Sequence, residues 1–164
     1  MFPASDLVHP FEAEASRARR PDLVDGHPLD LPEFADTLRR ICGLLGIAEP
    51  QVYVSPLPGH AYAPGVMRIA EQSLAELAPD EVEALLAHVC GHLLLPGHAG
   101  ELSADRVAAL YQGSPDAITR VIFAEAVHSG PSPDDLTVRV REIQAWTATA
   151  GFARLASLIA LPQS

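Results

Sequence analysis

Apolar residues recur at helical spacing through most of the chain. From Pro32, "PEFADTLRRICGLLGI" puts Phe34, Leu38, Ile41, Leu44 and Leu45 on one side of a helix. "QVYVSP" then alternates in strand fashion at Val52 and Val54, and "HAYAPGVMRIA" holds one or two short strands broken at Pro64–Gly65. Pro79–Asp80 opens a second helix, with Glu81 and Glu83 early in it, where the helix dipole favours acids. It runs through "DEVEALLAHVCGHLLL" until Pro96–Gly97 stops it. A third helix begins near Glu101 over "ELSADRVAALYQ", and a fourth covers "SPDAITRVIFAEAVHS", capped by Ser114 with Pro115 behind it. After "GPSPDD", residues 136 to about 161 read as one long C-terminal helix, open to interruption. Residues 1–30 are mixed, with turn material at "ARRPD" and "DGHPLDLP" and a short helix over "PFEAEASRAR". The expectation is an α+β fold, mostly helical with a small antiparallel sheet. It spans 1–164 as one domain, with residues 1–30 an N-terminal extension packed on it.

Composition narrows the function classes. The chain has 164 residues, enough for a substantial core, and 48% are hydrophobic. Its formal net charge is −10, and all 11 basic residues are arginine, a balance that argues against nucleic acid as a partner. Apolar runs such as "FARLASLIAL" fall short of the roughly 20 residues that span a bilayer. The two cysteines, Cys42 and Cys90, cannot build a multi-bridge framework. A soluble, cytoplasmic protein is expected.

The chemistry concentrates in "AHVCGHLLLPGHAGELSADR", residues 87–106. His88 and His92 lie one helical turn apart on the same face, a spacing that lets two imidazoles share a metal ion. Taken alone, the pair equally fits a helix with one surface and one half-buried histidine. Glu101 and Asp105 are also one turn apart, near the start of a helix folded back by "PGHAG". Glu101 would face the end of the preceding helix and complete a His/His/Glu set. Asp105 could orient a ligating histidine by accepting its other N–H. Cys90 sits about 200° around the helix from His88 and so points into the core.

This chain resembles the HtpX-like and CAAX-prenyl-protease-like zinc metallopeptidases, a group of gluzincins. Their H-E-x-G-H and E-x-x-A-D helices are similar to "HVCGH" and "ELSAD" here, and Arg106 continues the "ADR" often seen. "LVHPFEAEASRARRPD", "LLGIAEPQVYVSP", "HAYAPGVMRIAEQSLAELAPDEVEALLAH" and "RVREIQAW" are similar to further segments of such proteins, so the likeness covers nearly the whole chain. It implies a zincin-like, minimal gluzincin fold with zinc held by His88, His92 and Glu101 and supported by Asp105. It also implies that the strand near His60 to Gly65 borders a groove for an extended peptide.

Three departures qualify that implication. Val89 stands in place of the general-base glutamate, a loss that typically lowers a rate by about 10²–10⁴. Only "LLLPGHAG" separates His92 from Glu101, where many relatives carry a longer hairpin. His60 stands where the family usually has asparagine.

His98 is a rival third ligand, because His88, His92 and His98 match the outer spacing of the metzincin motif. That motif needs glycine where Leu95 stands and a downstream methionine, whereas Met1 and Met67 both lie upstream. If chemistry survives without the glutamate, His60, Tyr62 and His128 are the candidates to move protons, along with His98. Arg139 and Arg141 read most simply as solvated arginines, though one could line the groove. Two classes of function follow. One is a zinc-dependent enzyme of non-peptidase or altered hydrolytic chemistry on a peptide or small-molecule substrate. The other is an inactive pseudo-peptidase that binds a peptide or protein. An active metallopeptidase using another base is a further alternative.

Overall fold

In a computed structural model, residues 4–8, 26–30, 32–94, 100–129 and 133–160 are described. The expected helix over "PFEAEASRAR", the turn at Pro96–Gly97 and His98 lie outside them. A 3-10 turn, Ala4–Leu7, precedes strand β1, His27–Pro28, and helix α1, Pro32–Leu45. Strands β2 (Gln51–Ser55), β3 (Ala61–Ala63) and β4 (Val66–Ala70) follow, with a short helix α2, Glu71–Glu76. Five more helices complete the order: α3 (Pro79–Leu94), α4 (Glu101–Gln112), α5 (Asp116–Ser129), α6 (Pro133–Thr147) and α7 (Ala150–Ala160). The architecture is α+β and mostly helical. No described helix is long and apolar enough to cross a membrane.

The sheet is mixed rather than antiparallel, which corrects the expectation. Its order is β1-β2-β4-β3, with β1 antiparallel to β2, β2 parallel to β4, and β3 antiparallel to β4. The tight turn at Gly65 (φ 78°) folds β3 onto β4 as a hairpin. β4 then inserts between β3 and β2, and the crossover through β3 makes β2 and β4 run the same way. Among the described strands, β3 is left at the sheet edge.

Side-chain alternation fixes which face meets the helices. Met67 and Ile69 of β4 are fully buried in the main apolar cluster, with Val52 of β2 and Tyr62 of β3 packed against it. α1 contributes Leu38, Ile41, Cys42 and Leu45, the stripe that the sequence spacing marks, and ends where Gly46 takes φ 68°. α3 is buried along most of its length. Its start is fixed by Glu81, whose Oε2 accepts the Ala78 N–H at 2.9 Å. α3 packs most extensively on α4, then on α5 and α1. The expected C-terminal helix begins earlier, at Pro133, and is broken after Thr147. There Thr149 Oγ1 accepts the Phe152 N–H at 3.2 Å and so starts α7 as a fresh helix.

Candidate metal centre

The crossing of α3 and α4 is unusually close, and Gly91 is the reason. A Cβ built there would meet Ala104 Cα and Val107 Cβ at 3.0 Å each. With no side chain in the way, the faces carrying His88 and His92 on α3 and Glu101 and Asp105 on α4 come together. His88 Nε2 lies 3.1 Å from His92 Nε2 and 3.2 Å from Glu101 Oε2. His92 Nε2 lies 3.5 Å from Glu101 Oε1. His60, just before β3, joins them: His60, His88, His92 and Glu101 each offer one ligand atom, all within 4.8 Å of one another. This group could hold a metal ion.

Donor spacing tests that fit. Around a tetrahedral zinc with bonds of about 2.0–2.1 Å, neighbouring ligand atoms stand roughly 3.3–3.4 Å apart. His88 Nε2 stands near that distance from both His92 Nε2 (3.1 Å) and Glu101 Oε2 (3.2 Å), while His92 meets the other carboxylate oxygen, Oε1, at 3.5 Å, and the group with His60 spreads to 4.8 Å. Charge supplies a second test. Among the described residues, Glu101, Asp105 and Glu125 enclose the histidines and Arg139 opposes them, so with neutral imidazoles the group carries a formal charge of −2, which a divalent cation, or protons on the rings, would offset.

Each of two ring nitrogens facing away from the centre has a carboxylate beside it. Asp105 Oδ1 is 2.9 Å from His88 Nδ1, and Glu125 Oε2 is 3.3 Å from His60 Nδ1. Both are charge contacts, since neither Nδ1 completes a well-directed hydrogen bond. Asp105 is in turn clamped by Arg139, whose Nε and Nη2 donate to Oδ2 and Oδ1 at 2.8 and 2.7 Å. The same Nη2 reaches Glu101 Oε2 at 3.2 Å. The Tyr62 ring stacks on His92, centroids 4.3 Å apart and planes 8° from parallel.

The metal-free electrostatics follow from these contacts. Burial opposes charge on His88, but the Asp105 and Glu101 carboxylates outweigh it and raise the imidazole to about 9. Burial also works against ionising Glu101, yet His88, His60 and Arg139 hold it well below the usual carboxylate range. Asp105 is likewise held down, against complete burial, by Arg139 and His88. Glu101 is the open member of the group, with 47% of its side chain exposed.

The remaining candidates separate clearly. Val89 is fully buried within the apolar cluster. Cys90 is also fully buried, and its thiol interacts with that of Cys42 on α1. His128 is not brought into the group: on the last turns of α5, it sits 2.9 Å from Glu76 Oε2. Arg141 is solvated, with 69% of its side chain exposed. Arg139 is not. The solvated reading fails for it because it lies on the inward stripe of α6 with Leu136, Val140 and Ile143, where it meets Asp105.

Read from the sequence, His60 is a candidate proton carrier rather than a metal donor, and Glu125 belongs to no motif. A signal for Glu125 existed: it falls on the α5 face of Ile118, Val121 and Ile122, an acid at a core-facing position. No protein-family model, curated protein or solved structure matches the chain.

Proposed function

We propose that this chain is a zinc-binding protein of zincin-like architecture that does not act as a conventional peptidase. His88, His92 and Glu101 would hold the ion, with His60 beside them, and Asp105 would keep the His88 ring in one orientation. The observation that carries the reading is the convergence of these side chains from two helices, with their nitrogen and oxygen atoms 3.1–3.5 Å apart. Zinc so bound supplies charge and Lewis acidity in an otherwise buried setting.

Each acid near the centre already has a partner, which speaks against a free general base for proteolysis. Glu101 is committed to the histidines, Asp105 to His88 and Arg139, and Glu125 to His60. Val89, at the general-base position of the resembled family, has no titratable group and lies in the core. A binding role fits better, because β3 forms a sheet edge beside the centre, and extended peptides add to such edges through backbone hydrogen bonds.

A second reading, a zinc-dependent enzyme of altered chemistry, is favoured by the exposed side of Glu101, which gives solvent and small molecules a way in. His60 or Tyr62 would then handle protons.

Metal analysis tests the reading directly. Purified protein should carry about one zinc per chain, and His88→Ala or Glu101→Ala should strip most of it. Zinc-loaded wild type should leave an unstructured peptide essentially uncut. A protein that takes up no zinc overturns the metal assignment. Efficient cleavage abolished by a chelator overturns the non-proteolytic one.

A further inference from the structure

We infer that His60 is the fourth ligand of this centre and closes it, with Glu125 and Arg68 as the residues that position it. The inference rests on the reading that His88, His92 and Glu101 bind the ion.

Three observations lead there. The first is orientation. The Nδ1 of His60 faces Glu125 Oε2 at 3.3 Å, which leaves Nε2 as the donor, and its ring centroid is 5.0 Å from that of His88 and 5.7 Å from that of His92. His88 has the same arrangement, with Asp105 at Nδ1 and Nε2 turned to the centre. Two rings thus carry a carboxylate on the far nitrogen, the arrangement by which proteins orient ligating histidines and raise their basicity.

The second observation is the donor count. Three imidazoles and one carboxylate, with donor atoms all within 4.8 Å of one another, make the number a tetrahedral shell needs, and zinc sites with four protein ligands are structural whereas catalytic ones keep a position open.

The third is how the loop before β3 is held. Arg68 on β4 is 7% exposed, and among the described residues no carboxylate pairs with it. Its Nη1 donates instead to Ser55 Oγ at 3.1 Å and to the Leu57 carbonyl at 3.2 Å, while Ser55 Oγ also accepts the Leu57 N–H at 3.3 Å. The guanidinium therefore ties the end of β2 to the loop that runs through Gly59 to His60. Burying a cation is costly, and these two hydrogen bonds offset part of that cost. They hold the loop at Leu57, three residues before His60. The centre acts as a clasp: it joins the sheet edge to the α3–α4 pair, and the ion has no position left for a substrate atom.

Cobalt(II) substitution reads the coordination number without relying on activity. Cobalt-loaded wild type should give the intense visible bands of a four-coordinate site, and azide should leave them unchanged. His60→Asn should still bind cobalt, about 10–100-fold more weakly, and its spectrum should now respond to azide. Glu125→Gln and Arg68→Lys should weaken binding by about tenfold and give a partial azide response, with circular dichroism of the metal-free protein unchanged. Protein that binds no cobalt overturns the three-donor reading, and this inference falls with it. Protein that binds cobalt but responds to azide as wild type, with His60→Asn identical, overturns the fourth ligand alone. Should Arg68→Lys fail to fold, Glu125→Gln carries the positioning test: wild-type affinity and azide response in that variant overturn the positioning claim.

Discussion

The two sides of the candidate centre are built in different ways. On the helix side, His88, His92, Glu101 and Asp105 project from α3 and α4, whose crossing is locked by Gly91 against Ala104 and Val107. His88 and His92 are almost completely buried there, and every turn of backbone supports the next. On the sheet side, a single donor, His60, ends a loop held by a few hydrogen bonds to Arg68 and a contact to Glu125. Helix-borne donors are placed by the core itself, whereas the loop-borne donor depends on polar contacts that one substitution can remove. Metal affinity should therefore be lost together with stability on one side, and separately from it on the other.

The largest effect should come from Asp105→Ala. It removes the carboxylate between His88 and Arg139 and leaves a mostly buried guanidinium without its main partner. Breaking such a pair costs about 3–5 kcal/mol. Chemical denaturation should show a loss of that size, and zinc affinity should fall with it. A variant as stable as wild type would mean that Arg139 finds another partner, and the helix side would be less rigid than described.

The same contrast explains what the sequence disclosed. The helical donors were legible because an i, i+4 spacing fixes geometry once the helix is granted, and α4 follows the expected residues 101–112. The α1 stripe, the β3–β4 break at Pro64–Gly65 and the Ser114 cap, whose Oγ accepts the Asp116 N–H at 3.2 Å, were legible for the same local reason. Strand direction was not, because alternation at Val52 and Val54 gives a buried face without saying which neighbour pairs with it. Nor was the placement of His60, since nothing near it in sequence shows that α5 brings Glu125 beside its ring or that Arg68 of β4 holds the loop at Leu57. Arg139 was misread because charge alone suggested solvent, although its register with Leu136 and Ile143 pointed inward.

A second, somewhat smaller effect is a pH dependence of the metal-free protein. His88 is raised from 6.5 to about 9 in the folded state, so folding favours its protonated form. That contribution is complete below about pH 6.5 and is lost as pH rises through about 9. The metal-free protein should lose on the order of 3 kcal/mol across this window. Zinc competes with the same proton, so its apparent affinity should rise by about tenfold per pH unit over the range. Opposite slopes for metal-free stability and zinc affinity, measured by denaturation and by competition with a chelator, would sharpen the helix-side account. Parallel slopes would break it.

Gly91→Ala probes the crossing that makes the helix side possible. The added methyl meets α4 backbone at 3.0 Å, and overpacking of this kind costs about 1–3 kcal/mol. α3 and α4 must part by a few tenths of an ångström, which moves Glu101 away from both histidines at once. Zinc affinity should therefore fall by more than the stability loss alone would suggest. Wild-type affinity in a destabilised variant would show that the donors adjust independently of the crossing.

The smallest effect should come from Cys90→Ala. Cys90 lies on the same helix as both histidines but on its other side, fully buried and in contact with Cys42 of α1. It therefore samples the α1 interface without touching the centre. Removing the thiol leaves a small void and should cost roughly 1 kcal/mol, at the low end for losing buried side-chain volume. Zinc stoichiometry, measured on the purified variant, should be unchanged, and the affinity should stay within about twofold of wild type, because a shift of that size is below 1 kcal/mol. Loss of the ion in this variant would place Cys90 among the ligands and rotate α3 by about half a turn. His88 and His92 would then no longer face α4, and the distinction between a helix side and a sheet side would collapse.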